Sequence, residues 1–119
     1  MNDDTGLDAS ALEKLRKIGG GAFAAEMVKI YFEHVPSRLA AAREAMSSGD
    51  LHAVAAAVHA LKSTANHVGA RRVHEIARQV EVLARAKEGE PVPELLDELE
   101  AAHRSASPGL EELQRELGK

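Results

Sequence analysis

A histidine, a lysine three residues on and a second histidine just ahead of a glycine sit in a run otherwise built of small or apolar helix formers, AAAVHALKSTANHVGA, from Ala55 to Ala70. Neutral imidazole is a competent nucleophile at physiological pH, and an ammonium one helical turn away can hold an anion attached to the ring. His59 with Lys62 therefore has the makings of a covalent phosphoryl carrier. On spacing alone the blander reading is the stronger one, since an exposed His beside a Lys on a helix is usually solvated surface.

The helix that carries the pair has a clear apolar stripe of Leu51, Val54, Val58, Leu61, Ala65 and Val68. At ~100° per residue, His59 points roughly 130° away from the centre of that stripe, toward water or a partner. Ala55, Ala56, Lys62, Ser63 and Asn66 surround it at helical neighbour spacings, none of them a large hydrophobe, so another protein can approach the ring closely.

The elements that must position this pair are all helical. Apolar residues recur at helical spacing nearly everywhere, and no alternating β-branched run is bounded by turn signals. Asp8 caps a short first helix with Leu7, Ala11, Leu12, Leu15 and Ile18 on its apolar side, ended by the glycines 19–21. A second helix from about residue 22 turns Phe23, Met27, Ile30 and Tyr31 inward, and Pro36 interrupts or kinks it before Leu39, Ala42 and Met46 resume. Asp50 caps the motif helix and Gly69 ends it. The next helix turns Val73, Ile76, Val80, Leu83 and Ala84 inward until KEGEP, and the last starts near Val92 or Pro93, with a break or bend expected at Pro108 and Gly109. Four arms of ~18 residues, each ~27 Å long and joined by short links, make an antiparallel up-and-down four-helix bundle, all-α, with the short N-terminal helix capping one end.

The totals agree and exclude much else. A chain of 119 residues has the length of one domain, 1–119, with a motif-bearing core at about 22–89. Its formal charge of -4, with both signs mixed along the chain, argues against a nucleic-acid surface. The absence of Cys removes disulfides and thiolate metal sites, the N-terminal MNDDTGLDAS is acidic and unlike a signal peptide, and no apolar run approaches the ~20 residues of a spanning helix. A cytoplasmic protein is expected.

HALKSTANHVGA closely resembles the phosphoacceptor motif of histidine-containing phosphotransfer (HPt) domains, H-x-L-K-G/S-x-x-x-x-x-G-A, matching at His59, Leu61, Lys62, Ser63, Gly69 and Ala70. The preceding AAREAMSSGDLHAVAAAVHALK and the following QVEVLAR, with Glu81 and Arg85, are similar to the family's flanking segments, so the resemblance spans roughly 23–87. It implies that His59 is phosphorylated, that Lys62 stabilises the phosphate, that Gly69 is the turn ending the motif helix, and that Glu81 and Arg85 lie on the helix beside the histidine. Ser63 stands where glycine is commoner. Ala55, Ala56, Ser63, Asn66 and Arg85 become candidates for partner docking, while Arg71, Arg72 and Arg78 read first as a solvated face and only second as part of a docking rim; nothing catalytic transfers to Asn66 or His67.

The implied reaction is reversible phosphoryl transfer between a receiver-domain aspartate and His59, with response-regulator receivers and a hybrid histidine kinase as partners. Mg²⁺ is expected from the receiver and no cofactor from this chain, which is read as a monomeric phosphocarrier without an ATP site. A non-phosphorylated helical scaffold binding a receiver or kinase is the rival, disfavoured by the intact His59–Lys62 pair. Metal binding is disfavoured because Glu100 and His103 form a single Glu-x-x-His with no second copy. His34, His67, His74 and His103 read as surface or turn residues.

Overall fold

Asp8 and Asp50 open two of the four helices as their sequence context predicts. Asp8 accepts from the Ser10 N–H at 3.1 Å at the start of α1 (Ala9–Ser47), and Asp50 accepts from the Ala53 N–H at 3.0 Å at the start of α2 (Leu51–Val68). Gly69 then takes the left-handed conformation at φ 77° and reverses the chain into α3 (Arg71–Arg85), which is followed by α4 (Val92–Leu117). This computed structural model describes residues 6–117; residues 1–5, part of the acidic N-terminal stretch, and residues 118–119 lie outside the described residues.

The helices form a closed ring of neighbours. α1 packs on α2 and α4, α3 packs on the same two, and the diagonal pairs do not meet, which is an antiparallel four-helix bundle. Tyr31 from α1, Leu61 from α2, Val80 from α3 and Leu96, Leu99 and Leu110 from α4 are fully buried along its axis. Each such side chain contributes ~1.5–3 kcal/mol by leaving water, so the almost wholly aliphatic core suffices for a bundle of this size.

The three glycines act at one point. Two helical stretches meet at a kink among them, where Gly20 sits at φ 90° and ψ 175°, a conformation essentially confined to glycine. It divides α1 into a short helix, 9–19, and a long arm, 21–47. The short helix closes the end of the bundle where α2 turns into α3: Leu12 is buried, the Asp8 N–H donates to the Gly69 carbonyl at 2.7 Å, and the Arg72 N–H donates to the Gly6 carbonyl at 3.2 Å.

The expectations at two prolines and four apolar side chains are corrected. The long arm runs through Pro36 with helical dihedral angles, and α4 runs unbroken through Pro108. Each proline is exposed, so the carbonyl one turn back that loses its N–H partner lies on the wet side, and the combined burial of Leu39, Ala42, Ala45 and Met46 beyond Pro36, and of Leu110, Leu113 and Leu117 beyond Pro108, offsets a cost of ~3 kcal/mol each. Ile18 and Phe23, assigned inward, are 79% and 40% exposed, and Met27 and Ile30 are only half-buried. Tyr31 is buried as expected, and the inward line that contains it runs through Ala24, Val28, Val35 and Leu39, which places Phe23, Met27 and Ile30 at its margins.

Candidate functional site

His59 occupies the outer face of α2 midway along the helix, with 56% of its side chain exposed. Ala56, Ser63 and Asn66 share its exposed line at alternating three- and four-residue steps, so the ring stands among small neighbours as the wheel predicts. Ala55 is the exception and is corrected here. It is 1% exposed, because α3 runs close beside this part of α2 and covers it, leaving Ala55 and Ala84 together at the floor of a groove. It offers a partner no surface.

What the sequence left without a role is the residue that organises the site. Glu81 lies on the buried side of α3, 7% exposed, and its two carboxylate oxygens gather three side chains. Oε1 is 2.8 Å from the Lys62 ammonium, while Oε2 accepts from Arg85 at 2.8 and 3.1 Å and lies 2.9 Å from His59 Nδ1. Burial alone would push the Glu81 carboxyl up, but the hydrogen bonds from Lys62, Arg85 and His59 together outweigh it and hold it down at about 2. Glu81 is therefore ionised at physiological pH and can only accept hydrogen bonds.

That fixes the tautomer of its neighbour. Facing an ionised carboxylate, Nδ1 of neutral His59 must carry the hydrogen, so the lone pair sits on Nε2, on the exposed side of the ring. Lys62 and Arg85 together place two positive charges against one carboxylate, leaving the site net positive where an anion would arrive. Lys62 is held by Glu81 beside the ring, with 26% of its side chain exposed, and its backbone carbonyl accepts from His74 Nδ1 of α3 at 3.1 Å.

Gly69 has two reasons to be glycine. Its φ of 77° disfavours any side chain, and a Cβ there would run into the Asp8 carbonyl that crosses the turn. His67 is exposed in the last turn of α2, as expected of a helix end. Three other histidines are not the simple surface residues that were expected. His34 of α1 bonds the Thr64 hydroxyl at 2.8 Å, His74 bonds the Lys62 carbonyl, and His103 of α4 bonds the Tyr31 hydroxyl at 3.0 Å, all half-buried between helices.

Among the described residues, no three His, Asp or Glu side chains gather as a metal site, and Glu100 of the Glu-x-x-His pair is engaged by Arg43 and Arg104. No helix among them is long and apolar enough to cross a membrane.

The model of the Hpt domain family matches residues 26–117. The chain belongs to the Hpt domain family. Hpt domains are phosphocarriers that serve as phosphotransfer intermediates in phosphorelays, working with receiver domains and kinases. The fold agrees: this Hpt domain superposes on histidine-containing phosphotransfer protein B (HptB) from Pseudomonas aeruginosa PAO1 with a TM-score of 0.87 and 18% sequence identity, over 96% of this chain and 98% of that one. No curated protein matches the chain.

Proposed function

We propose that this Hpt domain accepts a phosphoryl group from a receiver-domain aspartate on Nε2 of His59 and returns it to another receiver aspartate. The observation that carries the reading is the bond from His59 Nδ1 to Oε2 of the ionised Glu81, which leaves the nucleophilic lone pair on the exposed side of the ring. Transfer proceeds in line, with the receiver supplying the aspartyl phosphate and Mg²⁺ and with Lys62 available to the equatorial oxygens. No cofactor of this chain is required, since its own contribution is a positioned nucleophile in a positive field. The chain acts as a cytoplasmic, monomeric carrier.

Ala56, Ser63 and Asn66 form the line along which the receiver seats, and their small side chains let the aspartyl phosphate reach the ring. Arg85, 55% exposed, lies beside that line and offers its free edge to the receiver's acidic pocket. The test is to mix the protein with a phosphorylated receiver and Mg²⁺ and to follow acid-labile, base-stable label. Label is expected on the wild type and absent from His59→Gln; label that persists in His59→Gln, or never reaches the wild type from any cognate receiver, overturns the assignment.

A further inference from the structure

The carboxylate beside His59 has a consequence for the phosphorylated state as well as for the free one. When the Nε2 lone pair attacks phosphorus, the N–P bond forms, the aspartyl O–P bond breaks, and that electron pair leaves on the receiver's carboxylate oxygen. The ring is then bonded to phosphorus at Nε2 and still to hydrogen at Nδ1, which makes it a cationic imidazolium. In solution such a ring can shed the Nδ1 proton and become a neutral phosphoimidazole, a poorer donor, because the departing nitrogen would then leave as an imidazolate.

Resting on the assignment of His59 as phosphoacceptor, we propose that Glu81 keeps the proton on Nδ1 of phosphorylated His59, so that the phosphoryl group stays in its readily transferred form throughout the relay. Glu81 is a positioning residue in this role. Its Oε2 lies 2.9 Å from Nδ1, and loss of the proton would set a nitrogen lone pair against an ionised oxygen at that distance. Glu81 cannot swing aside to relieve the repulsion, because Lys62 holds Oε1 and Arg85 holds Oε2 twice. The charged groups facing the ring are Lys62 from α2 and Glu81 with Arg85 from α3; α1 turns its His34 to Thr64, and among the described residues no α1 side chain is bonded to the ring.

On forward transfer an incoming carboxylate oxygen attacks phosphorus, the N–P electrons return to Nε2 as a lone pair, and the ring is again neutral with hydrogen on Nδ1. No proton has to enter or leave at any step, so the rate becomes insensitive to pH across the physiological range. The carrier is thereby suited to rapid exchange and unsuited to long storage.

The test uses the full chain with ¹⁵N-labelled histidine, phosphorylated by potassium phosphoramidate and, separately, by a phosphorylated receiver with Mg²⁺. At about pH 8 the Nδ1 resonance of phosphorylated His59 is expected at its protonated position in the wild type and at its unprotonated position in Glu81→Gln. At that pH the wild type is expected to lose phosphate to a receiver, and to water, about tenfold faster than Glu81→Gln. The two rates converge at about pH 6, where both rings are protonated. An unprotonated Nδ1 in the wild type at pH 8, or equal rates at every pH, overturns the proposal, and the wild-type spectrum decides even if the variant folds poorly. If phosphoramidate labels His59 while no receiver does, the relay role fails and the Nδ1 resonance still rules for or against Glu81. Failure of both donors to label His59 overturns the two together.

Discussion

His59 and His103 are each bonded through Nδ1 to a side chain on a neighbouring helix, at 2.9 and 3.0 Å, yet the two partners turn the same ring to opposite uses. Glu81 is ionised and can only accept, so His59 donates from Nδ1 and shows its Nε2 lone pair to the outside. Tyr31 is fully buried, and its phenolic hydrogen has to be given to an acceptor, so His103 accepts at Nδ1 and carries its own hydrogen on Nε2. His103 is also boxed in by Tyr31 and Phe32, whose rings meet it edge-on at centroid distances of 5.4 and 5.8 Å. A histidine's job in this bundle is set by the chemistry of the group behind it.

The sharpest way to break the comparison is to remove each ring in turn. His59→Gln is expected to reduce phosphoryl labelling to background while changing stability by less than about 0.5 kcal/mol, since the ring is exposed and Glu81 keeps Lys62 and Arg85. His103→Gln is expected to leave labelling intact and to lower stability by about 1–2 kcal/mol, read by chemical denaturation. Equal effects of the two variants on either measurement would erase the distinction.

After the all-or-none loss of labelling, the largest effect on stability is the acid response of Glu81. Displacement of its carboxyl from 4.5 to about 2 corresponds to about 3.5 kcal/mol at ~1.4 kcal/mol per pH unit. Because the folded value is the lower one, this stabilisation is fully present above about pH 4.5 and is lost as the pH falls toward about 2. Glu81→Gln is therefore expected to be less stable than the wild type at neutral pH, with the gap closing through that acid window. A constant gap down to the lowest pH would mean that the carboxylate charge contributes nothing.

Local spacing made one half of the site legible, while the other half, Glu81 and Arg85, was placed beside the histidine only through the resemblance and without its bonding, for physical reasons. The exposure of His59 follows from the phase of a single helix, and Lys62 is one turn away on the same helix, so both are visible in a local pattern. Glu81 meets His59 across 22 residues of sequence, and that pairing depends on how α2 and α3 cross. A signal was there: Glu81 falls four residues after Ala77 and three before Ala84, on the buried stripe of α3, where a carboxylate needs charged partners. The prolines misled in the opposite direction. Local propensity put breaks at Pro36 and Pro108, and the combined long-range burial of the residues beyond them, Leu39 and Leu110 included, overrode the breaks.

A smaller effect tests the His103 side by itself. Tyr31→Phe removes the hydroxyl and leaves Nδ1 of a half-buried ring without its partner, which is expected to cost about 1 kcal/mol with no change in labelling. Burial pushes the His103 imidazole below its ordinary value of 6.5, against the pull of Glu100 and with a small push from Arg104. The unfolded chain then binds this proton more readily than the folded one, so the His103 contribution favours folding at neutral pH and weakens as the pH drops below about 6.5. Measured between about pH 7 and pH 5, the decline in wild-type stability should be shallower in His103→Gln.

The smallest expected effect lies along the same α1–α4 seam, where Arg43 reaches Asp97 at 3.0 Å and Glu100 at 2.8 Å. On paper this resembles the Glu81 cluster with the signs reversed, one cation between two carboxylates. The difference is solvent: the Arg43 side chain is 38% exposed and its partners 73% and 43%, whereas the Glu81 side chain is 9% exposed. Water screens the Arg43 pairs and holding three flexible side chains together costs entropy, so Arg43→Ala is expected to lower stability by less than about 1 kcal/mol. In about 1 M salt, where the screening length is only ~3 Å, the difference should vanish. Salt should leave the greater part of the Glu81→Gln deficit in place, because its carboxylate is shielded from the ions by α2 and α3. If salt removes both deficits equally, burial is not what separates the two charge clusters, and the ordering of effects argued from it fails.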